Sequence, residues 1–199
     1  MLRVLGLTGS PRRGGNTETL LDSALRAAQQ AGAATEKIVL GNLKAHPCQH
    51  CDGCLHTGVC IIDDDMQPFY RKLLEADRLV LACPIFFMTV SAQTKTVIDR
   101  CQALWVAKYL LKQRHNIAPD GSRRRGLWIG VAGMDRPVPY LFDGARRVVR
   151  SFFAACDVEF GEELLCTAMD EYRDVNLHPT ALNDAAGAGK RLVGTSPKP

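Results

Sequence analysis

Four cysteines lie within thirteen residues of the sequence HPCQHCDGCLHTGVC (residues 46–60), at Cys48, Cys51, Cys54 and Cys60. Thiols at this density are typical of metal binding or redox chemistry in a reducing compartment, and disulfides between such close neighbours would constrain little chain. The last gap is longer than in two-cluster bacterial ferredoxins, and no proline follows it. The spacing therefore favours one [4Fe-4S] cluster held by all four thiolates, with a zinc site or free, redox-active thiols as open alternatives.

A second candidate site is the turn GSPRRGGNT at residues 9–17, which precedes an amphipathic stretch. The turn matches neither the P-loop pattern nor G-x-G-x-x-G. Its side chains at Ser10, Asn16 and Thr17, its two arginines and its paired glycines suit a phosphate bound at a helix N-terminus. The alternative is that Asn16 or Thr17 only caps the helix.

A third candidate site lies in the sequence CPIFFMTVSAQTKTVIDR at residues 83–100. Pro84 ends a predicted strand, and Ile85, Phe86 and Phe87 place large apolar side chains at the end of that strand. Apolar walls of this kind suit a planar ring system such as isoalloxazine. Packing beneath the next helix would explain the same residues equally well.

Other residues that could carry chemistry are expected to be structural. The remaining cysteines, in apolar contexts, are predicted to be buried packing residues: Cys83, Cys101, Cys156 and Cys166. His50 and His56 are predicted to lie on the loop surface. The acidic run at residues 63–65 suits either a docking face for a redox partner or the N-terminal cap of the following helix.

The elements that would position these residues alternate between strands and helices. Strands are predicted at residues 4–7, 38–40, 79–82, 127–131 and 158–165, and helices at residues 17–31, 66–74, 97–105 and 141–153 and after Pro179. Residues 114–125 are predicted to form a loop, and the last residues to fray. This order predicts one α/β domain over residues 1–199, with a doubly wound, five-stranded parallel sheet between two helical layers. Ligands of such sheets bind at the carboxyl ends of the strands, where the candidate loops, including the cysteine loop at 46–62, would lie.

Composition and charge exclude several classes of protein. The chain of 199 residues is 46% hydrophobic and 23% charged with a net charge of +4, as in ordinary globular proteins. No apolar run approaches the roughly 20 residues of a membrane span, and the N-terminus does not read as a signal peptide. We therefore expect a cytoplasmic protein with no membrane partner. The basic run Arg123-Arg124-Arg125 is predicted to be a solvated loop, and we expect no nucleic-acid partner because no aromatic pattern accompanies it.

Taken together, three motifs resemble the NADPH-dependent FMN reductase superfamily, and within it most closely the iron–sulfur flavoproteins. They are the turn at residues 9–17, the cysteine loop with residues 61–66 that follow it, and the sequence at 83–100. The resemblance extends over about residues 1–170. It implies a flavodoxin-like fold that binds FMN without a covalent bond.

The resemblance also implies roles for individual residues. Those expected to hold the FMN phosphate are Ser10, Arg12, Asn16 and Thr17, and those expected to line the isoalloxazine are Pro84, Ile85, Phe86, Phe87, Ala132 and Gly133. Met88 departs from the family, which usually has glycine there, and Ala132-Gly133-Met134 replaces a turn richer in glycine. Backbone contacts to the flavin edge are thereby less well supported than those to the phosphate.

The implied function is a converter between two-electron and one-electron transfer, with FMN and a [4Fe-4S] cluster as cofactors and no catalytic side chains. The expected partners are NAD(P)H or a ferredoxin-type donor, a small-molecule or protein acceptor, and further copies of the chain in a homodimer or homotetramer. An NAD(P)H-dependent FMN or quinone reductase without a cluster is one alternative. Others are a zinc-bearing, non-enzymatic binding protein and a flavodoxin-like carrier.

Overall fold

The computed structural model describes residues 1–113, 118, 121–135 and 138–194. The strands are β1 (Arg3–Thr8), β2 (Ala34–Val39), β3 (Arg78–Phe86), β4 (Thr89–Val90), β5 (Arg125–Val131) and β6 (Glu159–Cys166). The α-helices are α1 (Asn16–Gln30), α2 (Met66–Glu75), α3 (Ala92–Arg100), α4 (Gln102–Trp105), α5 (Asp143–Ala155), α6 (Met169–Tyr172) and α7 (Ala181–Val193). The loop predicted over residues 114–125 lies partly outside the described residues, and its last residue, Arg125, instead begins β5. The predicted frayed end lies outside the described residues.

Five parallel strands form the sheet in the order β2-β1-β3-β5-β6, which confirms the predicted doubly wound α/β fold. Successive strand residues point to opposite faces, so each strand serves two cores. Leu79 and Leu81 pack with α2, α3 and α5 on one face. Val80 and Ala82 pack with α1 and α7 on the other. The sheet is therefore covered on both faces, as the alternation of strands and helices predicted.

A short hairpin at the end of β3 was not predicted from the sequence. The two-residue strand β4 pairs antiparallel with β3, with Ile85 opposite Val90 and Phe86 opposite Thr89. The connecting residues Phe87 and Met88 have φ angles of 47° and 62°. Two consecutive positive φ angles are typical of a tight type I′ turn, which normally contains asparagine or glycine. Phe-Met gives no such signal, and both residues occupy a backbone region unfavourable for L-amino acids.

The long helix predicted at 97–105 is interrupted. An α-helix ends at Arg100, a second covers Gln102–Trp105, and a π-helix continues over Val106–Leu110. Neither the break at Cys101 nor the change to a π-helix at Val106 is marked by a glycine or proline in the sequence. Trp105 is 40% exposed, whereas Phe152 and Phe153 are core residues.

The prediction that residues 123–125 form a solvated loop is wrong for Arg124, which is 3% exposed. Its guanidinium donates to the carbonyls of Leu73 and Ala76 at the end of α2 and to that of Cys156 at the end of α5. Carbonyl groups at helix C-termini lack intrahelical partners, so a buried arginine can satisfy several of them at once. Burial lowers the pKa of Arg124, although the nearby Cys156, Asp157 and Asp77 partly oppose that change.

Among the described residues, the helices are all too short or too polar to span a bilayer.

Candidate functional site

A cavity of about 520 Å³ opens at the carboxyl ends of β1, β3 and β5. Its volume lies within the range of small-molecule sites, about 300–1,000 Å³. It is lined by nine of the ten residues predicted to bind a flavin: Ser10, Arg12, Asn16, Thr17, Pro84, Ile85, Phe86, Ala132 and Gly133. The tenth, Phe87, does not line the cavity, because its side chain at the hairpin tip is fully exposed.

One end of the cavity is formed by the turn before α1. Gly15 precedes the helix, and no side chain of the described residues caps the first turn, so the alternative that Asn16 or Thr17 only caps the helix is wrong. The Ser10 hydroxyl instead shapes the turn by accepting a hydrogen bond of 3.1 Å from the Arg12 N–H. An uncapped helix start presents free N–H groups and a partial positive charge, which together suit an anion.

A buried carboxylate near this helix start is neutralised by the protein. Glu18 is 4% exposed, accepts a hydrogen bond from the Gly14 N–H at 2.8 Å, and pairs with Lys37 at 2.9 Å. Burial raises the pKa of Glu18, but the bonds from Lys37 and Gly14 and the charges of Lys37 and Arg13 outweigh it and hold the pKa below its usual value. The Glu18 charge is thus paired with lysine, which limits its repulsion of an anion at the helix start.

The Asn16 side chain is engaged elsewhere in the protein. Its Nδ2 donates to the Arg173 carbonyl at 3.1 Å, and its Oδ1 accepts from the Val175 N–H at 3.0 Å. These two bonds tie the start of α1 to the segment after β6. The backbone N–H of Asn16 takes no part in these two bonds.

The opposite side of the cavity is formed by the ends of β3 and β5. Pro84, Ile85 and Phe86 present a mostly apolar wall, as predicted for a ring system. The turn after β5 is held by the chain after β6, since the Asp170 N–H donates to the Gly133 carbonyl at 2.9 Å. A Cβ at Gly133 would lie only 2.4–2.5 Å from the Asp170 carboxyl group, so only glycine fits this close approach without displacing Asp170.

Six further lining residues were not predicted: Pro11, Gly15, Val131, Met169, Asp170 and Arg173. The last three follow β6, whose carboxyl end lies at the same edge of the sheet as the other candidate loops. Ligands of such sheets bind at the carboxyl ends of the strands. Applied to the fifth predicted strand, this rule would have indicated the segment after β6 as well. The donor set, a free helix start with arginines at one end and an apolar wall at the other, fits a phosphorylated ring compound such as FMN.

The four loop cysteines face a second, smaller cavity. Cys48 and Cys51 are exposed and Cys54 and Cys60 half-buried, and all four line one space of about 40 Å³ together with Arg100. Burial raises the pKa of the Cys54 thiol, and the neighbouring Cys60, Cys48 and Cys51 raise it further. Within the described ranges, however, no three Cys, His, Asp or Glu side chains are arranged as a metal site. The loop thus gathers the four thiols around one space without closing them into a ligand set.

A buried ion pair lies against this cavity. The Arg100 guanidinium bonds Asp64 Oδ2 at 2.6 Å and Oδ1 at 3.1 Å, and its Nη2 donates to Cys60 Sγ at 3.4 Å. Arg100 Nε is buried and has no hydrogen-bond partner within the described part of the chain. A guanidinium that contacts a thiol and retains a free donor suits an anionic group bound by the cysteines. Sequence reasoning missed Arg100, which reads as an ordinary helix C-terminal cation.

The acidic residues before α2 have structural partners. Asp64 Oδ1 accepts from the Met66 N–H at 3.0 Å, as predicted for a helix cap, and Asp65 accepts from the Lys44 N–H at 2.7 Å. Of the three, only Asp63 is exposed, so the predicted docking face is reduced to one residue.

The remaining cysteines are buried as predicted. Burial raises the pKa of the Cys83 thiol to about 12, although a hydrogen bond donated by the Trp128 indole N–H opposes the change. Cys83 is therefore a protonated packing residue at neutral pH, even though it adjoins the residues that line the larger cavity.

Comparison with known proteins agrees with this geometry. The family model described as NADPH-dependent FMN reductase matches residues 2–119. An iron-sulfur flavoprotein of Methanosarcina thermophila is 34% identical over 144 residues, which cover 67% of this chain and 75% of the relative. Another, from Archaeoglobus fulgidus, is 43% identical over 106 residues, and the match spans 53% of this chain and only 54% of that protein.

Solved structures support the same fold. The NAD(P)H:quinone oxidoreductase from Methanothermobacter marburgensis superimposes with a TM-score of 0.71 at 18% identity, covering 98% of each chain. The predictions of the family and of an enzyme are confirmed: the chain belongs to the NADPH-dependent FMN reductase family, whose members are oxidoreductases.

Proposed function

We propose that this chain is an iron–sulfur flavoprotein. In this proposal one domain over residues 1–199 holds FMN in the larger cavity and a [4Fe-4S] cluster on Cys48, Cys51, Cys54 and Cys60. FMN supplies two-electron chemistry with NAD(P)H or a substrate, and the cluster supplies one-electron transfer to or from a partner. The family supports the flavin and the nicotinamide donor. The names of the relatives support the cluster.

The proposed flavin contacts follow from the two ends of the larger cavity. The phosphate lies at the start of α1, where the backbone N–H groups of Asn16 and Thr17 meet Ser10 and Arg12. The ring lies against Pro84, Ile85 and Phe86, with Ala132 and Gly133 at its polar edge. Phe87 is left out of this set because its side chain points away into solvent.

One observation carries the proposal for the cluster: all four loop cysteines line a single cavity beside a buried guanidinium. A cluster bound by four thiolates carries net negative charge, so it needs hydrogen-bond donors in a partly buried site. Arg100 provides one donor to Cys60 and has another without a partner. Closing the ligand set requires the exposed Cys48 and Cys51 to move inward, which an exposed loop permits.

The test is metal and flavin analysis of protein purified without oxygen. We expect near-stoichiometric FMN, about four iron atoms and four sulfides per chain, and broad absorbance around the flavin bands. The Cys54→Ser variant should lose the iron and keep the flavin. The matched control Cys166→Ala, at a buried cysteine of β6, should keep both.

Each other outcome points to a different protein. Flavin that NADPH reduces in a sample without iron would identify a cluster-free FMN or quinone reductase, and zinc in place of iron would show a structural metal. Full iron in Cys54→Ser would refute the ligand assignment. Flavin and iron without NAD(P)H turnover would leave a carrier that only exchanges electrons with a protein partner.

We also propose that the chain assembles as a homodimer or homotetramer, as the resemblance to its family implies. A part of the surface that suits such contacts includes the exposed Trp105 and the exposed Leu110 of the adjoining π-helix. Light scattering coupled to size-exclusion chromatography measures the mass directly, and a monomer of 21.8 kDa would contradict this part of the proposal.

A further inference from the structure

The chain after β6 crosses from the β5 turn to the start of α1 along the larger cavity and is held at both of its ends. At one end, the N–H groups of Ala168, Met169 and Asp170 donate to carbonyls of residues 132–134 after β5, at 2.8–3.2 Å. At the other end, residues 173 and 175 are bonded to the Asn16 side chain at the start of α1. This crossing segment, residues 168–175, therefore forms a wall of the cavity that runs from the β5 turn to the helix start.

The Asn16 side chain bonds the crossing segment through both of its amide atoms. Its amide donates to one backbone group of the crossing segment, and its carbonyl oxygen accepts from another. Both bonds are near 3.0 Å, and together they fix the segment relative to the first turn of α1. The side chain thereby helps to fix the position of the crossing segment.

Arg173 is placed at the anion-binding end of the cavity by these two bonds. Its carbonyl is the group that Asn16 binds, and its side chain lines the cavity. Its φ angle is 57°, a strained value for a residue other than glycine, and such strain persists where the surroundings enforce it. Among the residues that the structure describes, the Arg173 guanidinium forms no ion pair.

The charges around the cavity support an anion at this end. Arg12 and Arg173 line it together with the uncapped start of α1. The carboxylate that also lines the cavity, Asp170, lies at the other end of the crossing segment, against Gly133. A phosphate near α1 would thus meet two guanidinium groups while the acidic side chain faces the β5 turn.

We propose that Arg173 binds the phosphate of FMN together with the first turn of α1, and that Asn16 is a positioning residue that holds Arg173 there. This inference rests on the proposed binding of FMN. It adds a phosphate ligand from the last third of the chain, beyond the turn at residues 9–17. It also changes the role of Asn16 from a side-chain ligand to a support.

The test compares FMN with riboflavin, which has the same ring and no phosphate, by quenching of flavin fluorescence in the apoprotein. We expect Arg173→Ala to weaken FMN binding by about tenfold, because a charge-assisted bond to the phosphate is lost. Riboflavin affinity should stay within about twofold, since the ring contacts are unchanged. Arg173→Lys should recover part of the loss. Arg26→Ala, at an exposed arginine on α1 that does not line the cavity, is the matched control.

A double-mutant cycle separates positioning from direct contact. Asn16→Ala should weaken FMN binding when Arg173 is present and add little when Arg173 is alanine. Additive losses would overturn the positioning role. Equal losses for FMN and riboflavin in Arg173→Ala, or no loss at all while the wild type binds FMN tightly, would overturn the phosphate role. A wild type that prefers riboflavin or binds neither flavin would instead refute the proposed function itself.

Discussion

Removing the charge of Asp64 should destabilise the protein strongly, because it leaves Arg100 buried without its counter-ion. The two side chains are 5% and 0% exposed and are joined by two hydrogen bonds, at 2.6 and 3.1 Å. Breaking a buried pair by removing one partner costs about 3–5 kcal/mol. Domain stability is only about 5–15 kcal/mol, so Asp64→Asn would consume a large part of it.

The assay is urea unfolding of the apoprotein, followed by circular dichroism at pH 7 and at lower pH. Burial raises the pKa of Asp64, but hydrogen bonds from Arg100, His46 and Met66 outweigh it and hold the pKa below its usual value. The folded pKa is depressed, so the stabilisation is complete above the unfolded pKa of about 4 and is lost as the pH falls toward the folded pKa. The difference in free energy of unfolding between the wild type and Asp64→Asn should therefore be largest at pH 7 and decrease below about pH 4.

The matched control is the same substitution in an exposed ion pair on α3, the helix that carries Arg100. Asp99 pairs with Lys95 at 2.8 Å, but both side chains are about half exposed. Asp99→Asn should cost no more than about 0.5 kcal/mol. Two results would contradict this reasoning. One is a loss of free energy of unfolding at pH 7 that is as small in Asp64→Asn as in the control, and the other is a loss that does not depend on pH.

Three smaller predictions concern the hairpin and the β5 turn. Phe87→Gly should raise the free energy of unfolding in urea by about 1 kcal/mol, because glycine adopts a φ of 47° without strain and the exposed side chain packs against nothing; an unchanged midpoint would contradict this. Phe87→Ser should leave the free energy of unfolding within about 0.5 kcal/mol, since the side chain is fully exposed, and a larger loss in thermal melts would show a hidden contact. Gly133→Ala should weaken flavin binding severalfold in fluorescence titrations, because its Cβ would displace Asp170; full affinity would mean that the cavity adapts without cost.

The framework of the fold could be predicted because its signals are local. Leu20, Leu21, Ala24 and Leu25 repeat at helical spacing in α1, and all four are buried against the sheet. The β3–β4 turn could not be predicted, because Phe87 carries no turn signal and its positive φ is imposed by pairing of the flanking strands.

The candidate site was predictable where one loop supplies the residues and unpredictable where distant segments meet. The turn at residues 9–17 could be assigned from its own composition. Arg173 and Arg100 could not, because their positions depend on bonds to Asn16 and Asp64, which are 157 and 36 residues away. Asn16 has the residue type of a helix cap, and only the folded chain shows that its side chain serves a tertiary contact.

The three carbonyls bound by Arg124 have a consequence for how the protein folds. They lie at the C-terminal ends of α2 and α5, separated from Arg124 by 48 and 51 residues on one side and 32 on the other. These carbonyls gain their buried donor only when the strand that follows Arg124 has docked between its neighbours. The two helix ends should thus fray together rather than one at a time, and hydrogen exchange should register them as one cooperative unit.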